Sequence, residues 1–192
     1  MACPSVAEGM SAVRIRSMLA LTVAVVVGVV GPGSAAAAAE TPLGSCSAGA
    51  PPSHSGPVAE GVPGNAETPW FTPLSLANGD ALRATASGRV RVDHWGTNKS
   101  IAGELPVAGG GWPAPGLPRY MLIGKVTIGA MWLKSTGLTY GPGQWFPVGP
   151  DSGCMLYLSA SPPQGGRLVF SFNDDNLGDN GGGAAVLVAQ WI

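Results

Sequence analysis

Three carboxylates lie within six positions near the C-terminus of the chain. The segment Phe172–Gly183 reads FNDDNLGDNGGG and contains Asp174, Asp175 and Asp179 with asparagines between them. No Lys or Arg follows Arg167, so the surrounding sequence offers no counter-charge. Carboxylates this close repel one another unless a cation neutralises them, and Ca²⁺ prefers carboxylate, amide and backbone oxygens. The segment therefore predicts a calcium site, with a binding site built around it.

A plain solvated turn is the open alternative for the same segment. Asn and Asp tolerate left-handed backbone and Gly permits it freely, so a turn without metal has the same composition. An EF-hand is excluded, because counting from Asp174 the fifth and twelfth positions are Gly178 and Ala185. The apolar runs LVFSF and AAVLVAQWI flank the segment. We therefore place it at one end of a β-sheet.

Two tryptophans lie in segments that do not read as strands. Trp95 precedes Gly-Thr-Asn, and Trp112 stands between Gly and Pro. An exposed indole can stack on the apolar face of a sugar ring while polar neighbours bind its hydroxyls. A structural role stays open for both, and it is the better interpretation for Trp132 and Trp191.

Residues for hydrolysis are sparse. The two histidines are His54 and His94, and no G-x-S-x-G elbow occurs. Asp93 and His94 are adjacent, so on a strand they would point to opposite faces rather than form a triad. Glycosidase chemistry needs two positioned carboxylates, and the sequence offers Glu104 with one of the loop aspartates as the pair. No zinc spacing, phosphate loop or dinucleotide fingerprint appears, and we predict that the protein is not an enzyme.

The N-terminus has the pattern of a secretory signal peptide. Arg14 and Arg16 precede an apolar run, Met18–Val30, that is too short for a membrane span of about 20 residues. Alanines 35–39 then offer A-x-A cleavage sites. We predict a signal peptide over 1–39, cleavage after Ala39, and a secreted protein.

The net charge limits the classes of molecule that the protein could bind. The chain carries a formal charge of −1 at pH 7, whereas nucleic-acid binding requires a basic face. No second apolar stretch could span a bilayer. We predict a carbohydrate partner, no nucleic acid and no membrane span, and the sequence leaves a homo-oligomer open.

Two cysteines remain after the signal peptide, Cys46 and Cys154. Export favours oxidation, so one internal disulfide is the favoured state and two free thiols are the alternative. Such a bridge closes a loop of about 100 residues and contributes up to roughly 4–5 kcal/mol in the chain-entropy model.

Composition divides the exported part in two. Residues 40–66 are rich in Pro, Gly, Ser and Ala, which predicts a disordered tail or linker. Residues 67–192 contain alternating apolar segments separated by Gly, Pro, Asn and Asp, which indicate strands. We predict an all-β sandwich of about eight strands, with a long structureless loop at 102–118.

The order of several motifs resembles that of a known family, the LecA-type calcium-dependent galactophilic lectins of bacteria. The resemblance covers residues 67–192 and rests on Gly79–Gly88 (GDALRATASG), Tyr120–Val126 (YMLIGKV), Asn173-Asp174 and Asp179–Gly182 (DNGG). It implies a jelly-roll-like, galactose-binding-like β-sandwich. It also implies one Ca²⁺ at a loop end, whose coordination two vicinal hydroxyls of a sugar complete.

The resemblance also implies the ligands. They are the side chains of Asp174, Asp179 and Asn180, the carbonyl of Asn176, and a carbonyl from Val92 or Asp93. Asp179 stands where the family more usually has Asn, and the loop is about two residues shorter here.

The part of the family's site that selects the sugar differs more strongly in this sequence. The family's sugar-contacting His and Gln should precede Tyr120, where this chain reads GGGWPAPG. A preference for galactose is therefore not implied, and a sugar would meet Trp112 instead. Our sugar-binding prediction comprises Asp174, Asp179, Trp112 and Trp95. The main hypothesis is a secreted, Ca²⁺-dependent, lectin-like protein. The alternatives are a structural or interaction sandwich without sugar binding and a glycoside or ester hydrolase.

Overall fold

The computed structural model describes residues 40–58, 61–68, 71–160 and 166–192. The predicted signal peptide and its cleavage site lie outside these ranges. Within them, no helix is long and apolar enough to cross a membrane.

The described residues form an all-β, sandwich-like fold with one short α-helix. In chain order the elements are α1 Pro42–Ala48, β1 His54–Pro57, β2 Val62–Pro63, β3 Phe71–Leu76, β4 Ala81–Arg91, β5 Asn98–Ser100, β6 Glu104–Val107, β7 Pro118–Arg119, β8 Leu122–Val126, β9 Ala130–Leu133, β10 Thr139–Tyr140, β11 Phe146–Pro147, β12 Met155–Leu158, β13 Gly166–Phe172, the 3₁₀ turn Leu177–Asp179 and β14 Gly181–Trp191.

Two antiparallel sheets and a small hairpin contain these strands. The larger sheet has the order β1-β14-β4-β12-β9-β10, with β2 added to β14 and β5 added to β4. The second sheet has the order β11-β8-β13-β3, and β6 pairs with β7. The predicted all-β sandwich is confirmed.

Strands β4 and β14 form the longest ladder, with eleven paired residues from Ala81 opposite Trp191 to Arg91 opposite Gly181. Along the middle of β14, Ala184, Val186 and Val188 are buried while the residues between them are exposed. This period of two is the pattern of a strand with one face on the core. The core draws on both sheets, and its largest fully buried side chains include Leu82, Leu122, Met131, Phe146, Met155, Tyr157, Leu168, Phe170 and Phe172.

The predicted disordered tail is wrong for the described part of residues 40–66. Helix α1 begins after Thr41, whose hydroxyl accepts a hydrogen bond from Gly44 N at 3.1 Å, and ends at Gly49 with φ of 72°. β1 and β2 then pair with β14. The segment has too few apolar residues for its own core, but Val62 inserts into that of the sandwich. Its order therefore comes from its partners rather than from its composition.

Two further predictions need correction. The described residues contain fourteen strands rather than about eight, because strands of two or three residues show no alternation in the sequence. The loop at 102–118 is not structureless throughout, since it contains β6, which pairs with β7 across the intervening turn.

The Cys46–Cys154 disulfide is confirmed, and it joins positions 108 residues apart. It ties α1 to the residue before β12. Both cysteines are buried in a second small cluster with Ala81 and Trp191. The indole Nε1 of Trp191 donates to Ala50 O at 3.0 Å, which adds a polar link to the same contact.

Loss of this bridge should lower stability. We expect Cys46→Ser/Cys154→Ser to reduce the free energy of unfolding by roughly 3–5 kcal/mol, because the unfolded chain regains the entropy of a long loop. Urea denaturation measures this. The oxidised wild type treated with reductant is the matched control and should reach the same midpoint, whereas an unchanged midpoint in both would contradict the role assigned to the bridge.

Candidate functional site

The acidic segment connects the two sheets. β13 belongs to the four-stranded sheet and β14 to the larger one, so residues 173–180 cross from one to the other. A 3₁₀ turn, Leu177–Asp179, shapes the crossing, and the Asn176 side chain caps it by accepting from Gly178 N at 3.3 Å. The predicted position at the end of a sheet is therefore found.

Asp174 and Asn180, two of the predicted ligands, are in direct contact. Asp174 Oδ2 accepts a hydrogen bond from Asn180 Nδ2 at 2.9 Å, and Asp174 Oδ1 accepts one from Asn176 N at 3.1 Å. Both side chains are buried. Asn180 Nδ2 also donates to Gly64 O at 3.1 Å, so both of its N–H groups are used.

Two buried oxygens in this loop have no hydrogen-bond donor among the described residues. They are Asn180 Oδ1 and Asp179 Oδ1. A buried polar atom left unpaired costs on the order of 1–3 kcal/mol, so proteins rarely leave two so close in sequence. Oxygens of this kind are suitable ligands for a hard cation.

Burial makes the Asp174 carboxylate expensive to ionise. Its pKa is raised chiefly by burial, with the charge of Asp175 adding to the rise, while the hydrogen bonds from Asn176 and Asn180 oppose it. Asp175 itself is exposed. A positive charge beside Asp174 would therefore stabilise the folded protein with this group ionised.

The loop does not gather three carboxylates around one point. In the part of the chain that the structure describes, no group of three or more His, Cys, Asp or Glu side chains could hold a metal ion. A cation here would depend on two carboxylates, an amide and backbone oxygens. This set suits Ca²⁺ and does not suit zinc, which prefers Cys and His.

A positive charge from β4 lies at the C-terminal end of the acidic loop, which the sequence did not reveal. The guanidinium of Arg91 lies so close to Gly181 that a Cβ on Gly181 would be 2.7 Å from Arg91 Nη2. Arg91 and Gly181 are opposite each other in the ladder. The loop is therefore less isolated from positive charge than its own sequence indicates.

Val92 leaves the ladder at the same end as the acidic loop. It follows Arg91, whose partner Gly181 follows Asn180. Val92 N donates to Thr97 O at 2.9 Å, so a tight turn holds its peptide.

Asp93 belongs to that turn. Its Oδ1 accepts from Thr97 N at 2.8 Å, and its pKa is lowered first by a hydrogen bond from the Thr97 side chain and then by this backbone bond.

Trp112 belongs to an aromatic and cationic cluster. Its ring meets Tyr120 edge-on at 5.6 Å between centroids, and the Arg119 guanidinium lies over it at 5.3 Å. Lys99 lies 5.9 Å from the Tyr120 ring. The pKa of Tyr120 is raised first by burial and then by the charge of Asp174.

Asn173 joins that cluster to the acidic loop, a role that sequence reasoning missed. Its buried side chain accepts from Ala114 N at 2.9 Å and donates to Ala114 O and Pro118 O, both at 3.0 Å. Its own carbonyl accepts from Tyr120 N at 2.7 Å. One residue next to Asp174 thus holds the Trp112 loop in place.

Gly64 is a second residue that the sequence did not reveal. Besides accepting from Asn180, its N–H donates to Gly182 O at 2.9 Å. A Cβ at Gly64 would lie 2.3 Å from Gly181 O, so no other residue fits without a backbone shift. No local signal marks it, because it lies in the stretch that reads as a linker.

The remaining predicted residues have other surroundings. Trp95 is 82% exposed, and its ring lies 4.3 Å from neighbouring His94 in the turn after β4. Glu104 pairs with Lys99 at 2.7 Å. Asp93 is engaged in its turn, so the three residues considered for hydrolysis form no hydrogen-bonded triad among those described.

Comparison with known proteins adds little. No protein-family model matches the chain, and no curated protein shows a significant match. Among solved structures, a chain described as "EclA N-terminal domain; PllA-like lectin" is 23% identical, with a TM-score of 0.38. The alignment covers 71% of this chain and 94% of that one. A likeness of this size carries no argument about function.

Proposed function

We propose that the protein is an exported, calcium-dependent carbohydrate-binding protein whose metal site is the 173–180 loop. One observation carries this proposal. The buried oxygens Asn180 Oδ1 and Asp179 Oδ1 have no donor among the described residues, Asn180 is hydrogen-bonded to the buried carboxylate of Asp174, and Asp179 is the residue before Asn180. A cation would satisfy all three groups at once.

The proposed protein ligands are five oxygens. Three come from the side chains of Asp174, Asp179 and Asn180, and two are the carbonyls of Asn176 and of Val92 or Asp93. Ca²⁺ takes six to eight oxygen ligands, so two sugar hydroxyls would bring the set within that range. When bound, Ca²⁺ would offset the charge of the loop and polarise those hydroxyls.

The chain's own residues prepare this arrangement. Asn180 spends both N–H groups on Asp174 and Gly64, which leaves its Oδ1 as the end available to a ligand. Asn173 holds the Trp112 loop against the same segment. We therefore expect the sugar ring to meet Trp112 rather than Trp95, which remains a prediction on exposure alone.

The disulfide supports the proposed export. Bridges of this kind form and persist in oxidising compartments, and they are rare in the reducing cytosol. Secretion itself remains a proposal that rests on the N-terminal signal pattern in residues 1–39.

Calcium should stabilise the folded protein. At 2 mM Ca²⁺ we expect the thermal midpoint to rise by several degrees and to return to its starting value with excess EDTA, because a ligand that binds only the folded state shifts the equilibrium toward it. Differential scanning fluorimetry measures the shift. Mg²⁺ at the same concentration is the control and should give a smaller shift, since Mg²⁺ retains its water. No shift with Ca²⁺ would favour the structural sandwich without a ligand site.

Substitutions at Asp179 and Asp175 should distinguish a calcium ligand from an acidic residue that does not bind the metal. Asp179→Ala should abolish the calcium-induced shift, and Asp179→Asn should weaken it, because Asn keeps an oxygen but loses the charge. Asp175→Ala is the matched control, since Asp175 is exposed and outside the proposed ligand set. Calorimetric titration with Ca²⁺ measures the affinities. Equal losses for Asp175→Ala and Asp179→Ala would show that the loop acts only through its net charge.

A further inference from the structure

The backbone of Arg119 is held beside the acidic loop by hydrogen bonds at the residues directly before and after it in the chain. Asn173 Nδ2 donates to Pro118 O at 3.0 Å, and Tyr120 N donates to Asn173 O at 2.7 Å. Asn173 is covalently next to Asp174. The backbone of Arg119 is thus fixed relative to a proposed calcium ligand through one buried residue.

The guanidinium of Arg119 has no ion-pair partner among the described residues. Its Nε is buried and lacks a hydrogen bond. Glu104 is opposite Arg119 in the β6–β7 pair, but its carboxylate contacts Lys99 at 2.7 Å. Elsewhere in the described chain, Arg83 and Lys125 each pair with an acid. Arg119 forms no ion pair with the neighbouring carboxylate of Glu104, so its charge remains available to an external anion.

Trp112 lies against the guanidinium of Arg119. Its ring centroid lies 5.3 Å from Arg119 Cζ, and with Nε buried the two terminal Nη groups are the ones left for an external acceptor. The planar fork matches the two oxygens of a carboxylate or sulfate, which it binds bidentately. Because the ring and the charge share one surface, a sugar on Trp112 would bring its substituents close to Arg119.

We propose that Arg119 selects a sugar that carries an anionic substituent, either a carboxylate or a sulfate, while the sugar's hydroxyls bind calcium at the acidic loop. This inference rests on the proposed function. It names the ligand class as an acidic glycan and makes Arg119 the residue that distinguishes an acidic sugar from its neutral parent.

Matched sugars test the selection directly. Methyl galactoside and methyl glucoside are compared by calorimetry with the corresponding uronic acids and 6-sulfates, at 2 mM Ca²⁺ and 0.15 M NaCl. We expect the uronic acid or the 6-sulfate of a sugar to bind at least tenfold more tightly than its neutral parent. A tenfold difference corresponds to the free energy of a charge-assisted hydrogen bond. The uronic acids and the sulfates distinguish the two sources of negative charge.

Three variants assign the preference to Arg119. Arg119→Gln should reduce the acid-to-neutral affinity ratio to near one, and Arg119→Lys should give an intermediate ratio because Lys keeps the charge without the fork. Arg89→Gln removes an exposed arginine that donates to Asn98 O, and it should keep the wild-type ratio. The calcium-induced thermal shift, measured on each variant, verifies that it is folded and holds metal.

The outcomes separate the two proposals. Binding of neutral sugars with Ca²⁺ but no acid preference overturns the role of Arg119 and leaves the lectin proposal standing. An acid preference that survives in Arg119→Gln also overturns it, because the acid would then be binding calcium itself. Failure of every sugar to bind, with or without Ca²⁺, overturns the proposed function and with it the inference.

Discussion

The register of the β4–β14 ladder is the constraint on which the remaining structure depends. Eleven residues pair across it, while β14 also receives β1 and β2, and β4 also receives β5 and β12. A shift of one residue would turn the buried face of β14 to solvent, so packing specifies this register strongly. The same register sets Arg91 against Gly181 and thereby fixes where the acidic loop ends. The far end of the candidate site is thus determined by sheet pairing.

The near end of the site depends on buried polar groups. Asn173 makes its hydrogen bonds where no water competes, and Asp174 is buried enough to have a raised pKa. Polar groups in such surroundings are either fully satisfied or costly. Asn173 is of the first kind, while Asp179 and Asn180 are of the second. A rigid support therefore adjoins oxygens that lack donors among the described residues.

Local patterns in the sequence predicted the long strands and the position of the acidic loop. Alternation marks β4, β12, β13 and β14, a β-rich run marks β8, and the loop follows from the apolar runs on either side. The contributions of Gly64, Arg91 and Asn173 could not be predicted, because each depends on atoms more than fifty residues away. The order of α1, β1 and β2 was missed for the same reason, since β14 and the disulfide provide it.

The side chain of Asn173 holds the Trp112 loop through hydrogen bonds to backbone atoms of that loop. Its partners are the peptide groups of Ala114, Leu117 and Pro118, while residues 109–111, 115 and 116, four glycines and a proline, are exposed. The anchor therefore places few demands on side-chain identity in this loop. The sequence of this loop can therefore change without removing the hydrogen bonds that join it to the acidic segment. The fold separates the residues free to vary from those that must stay.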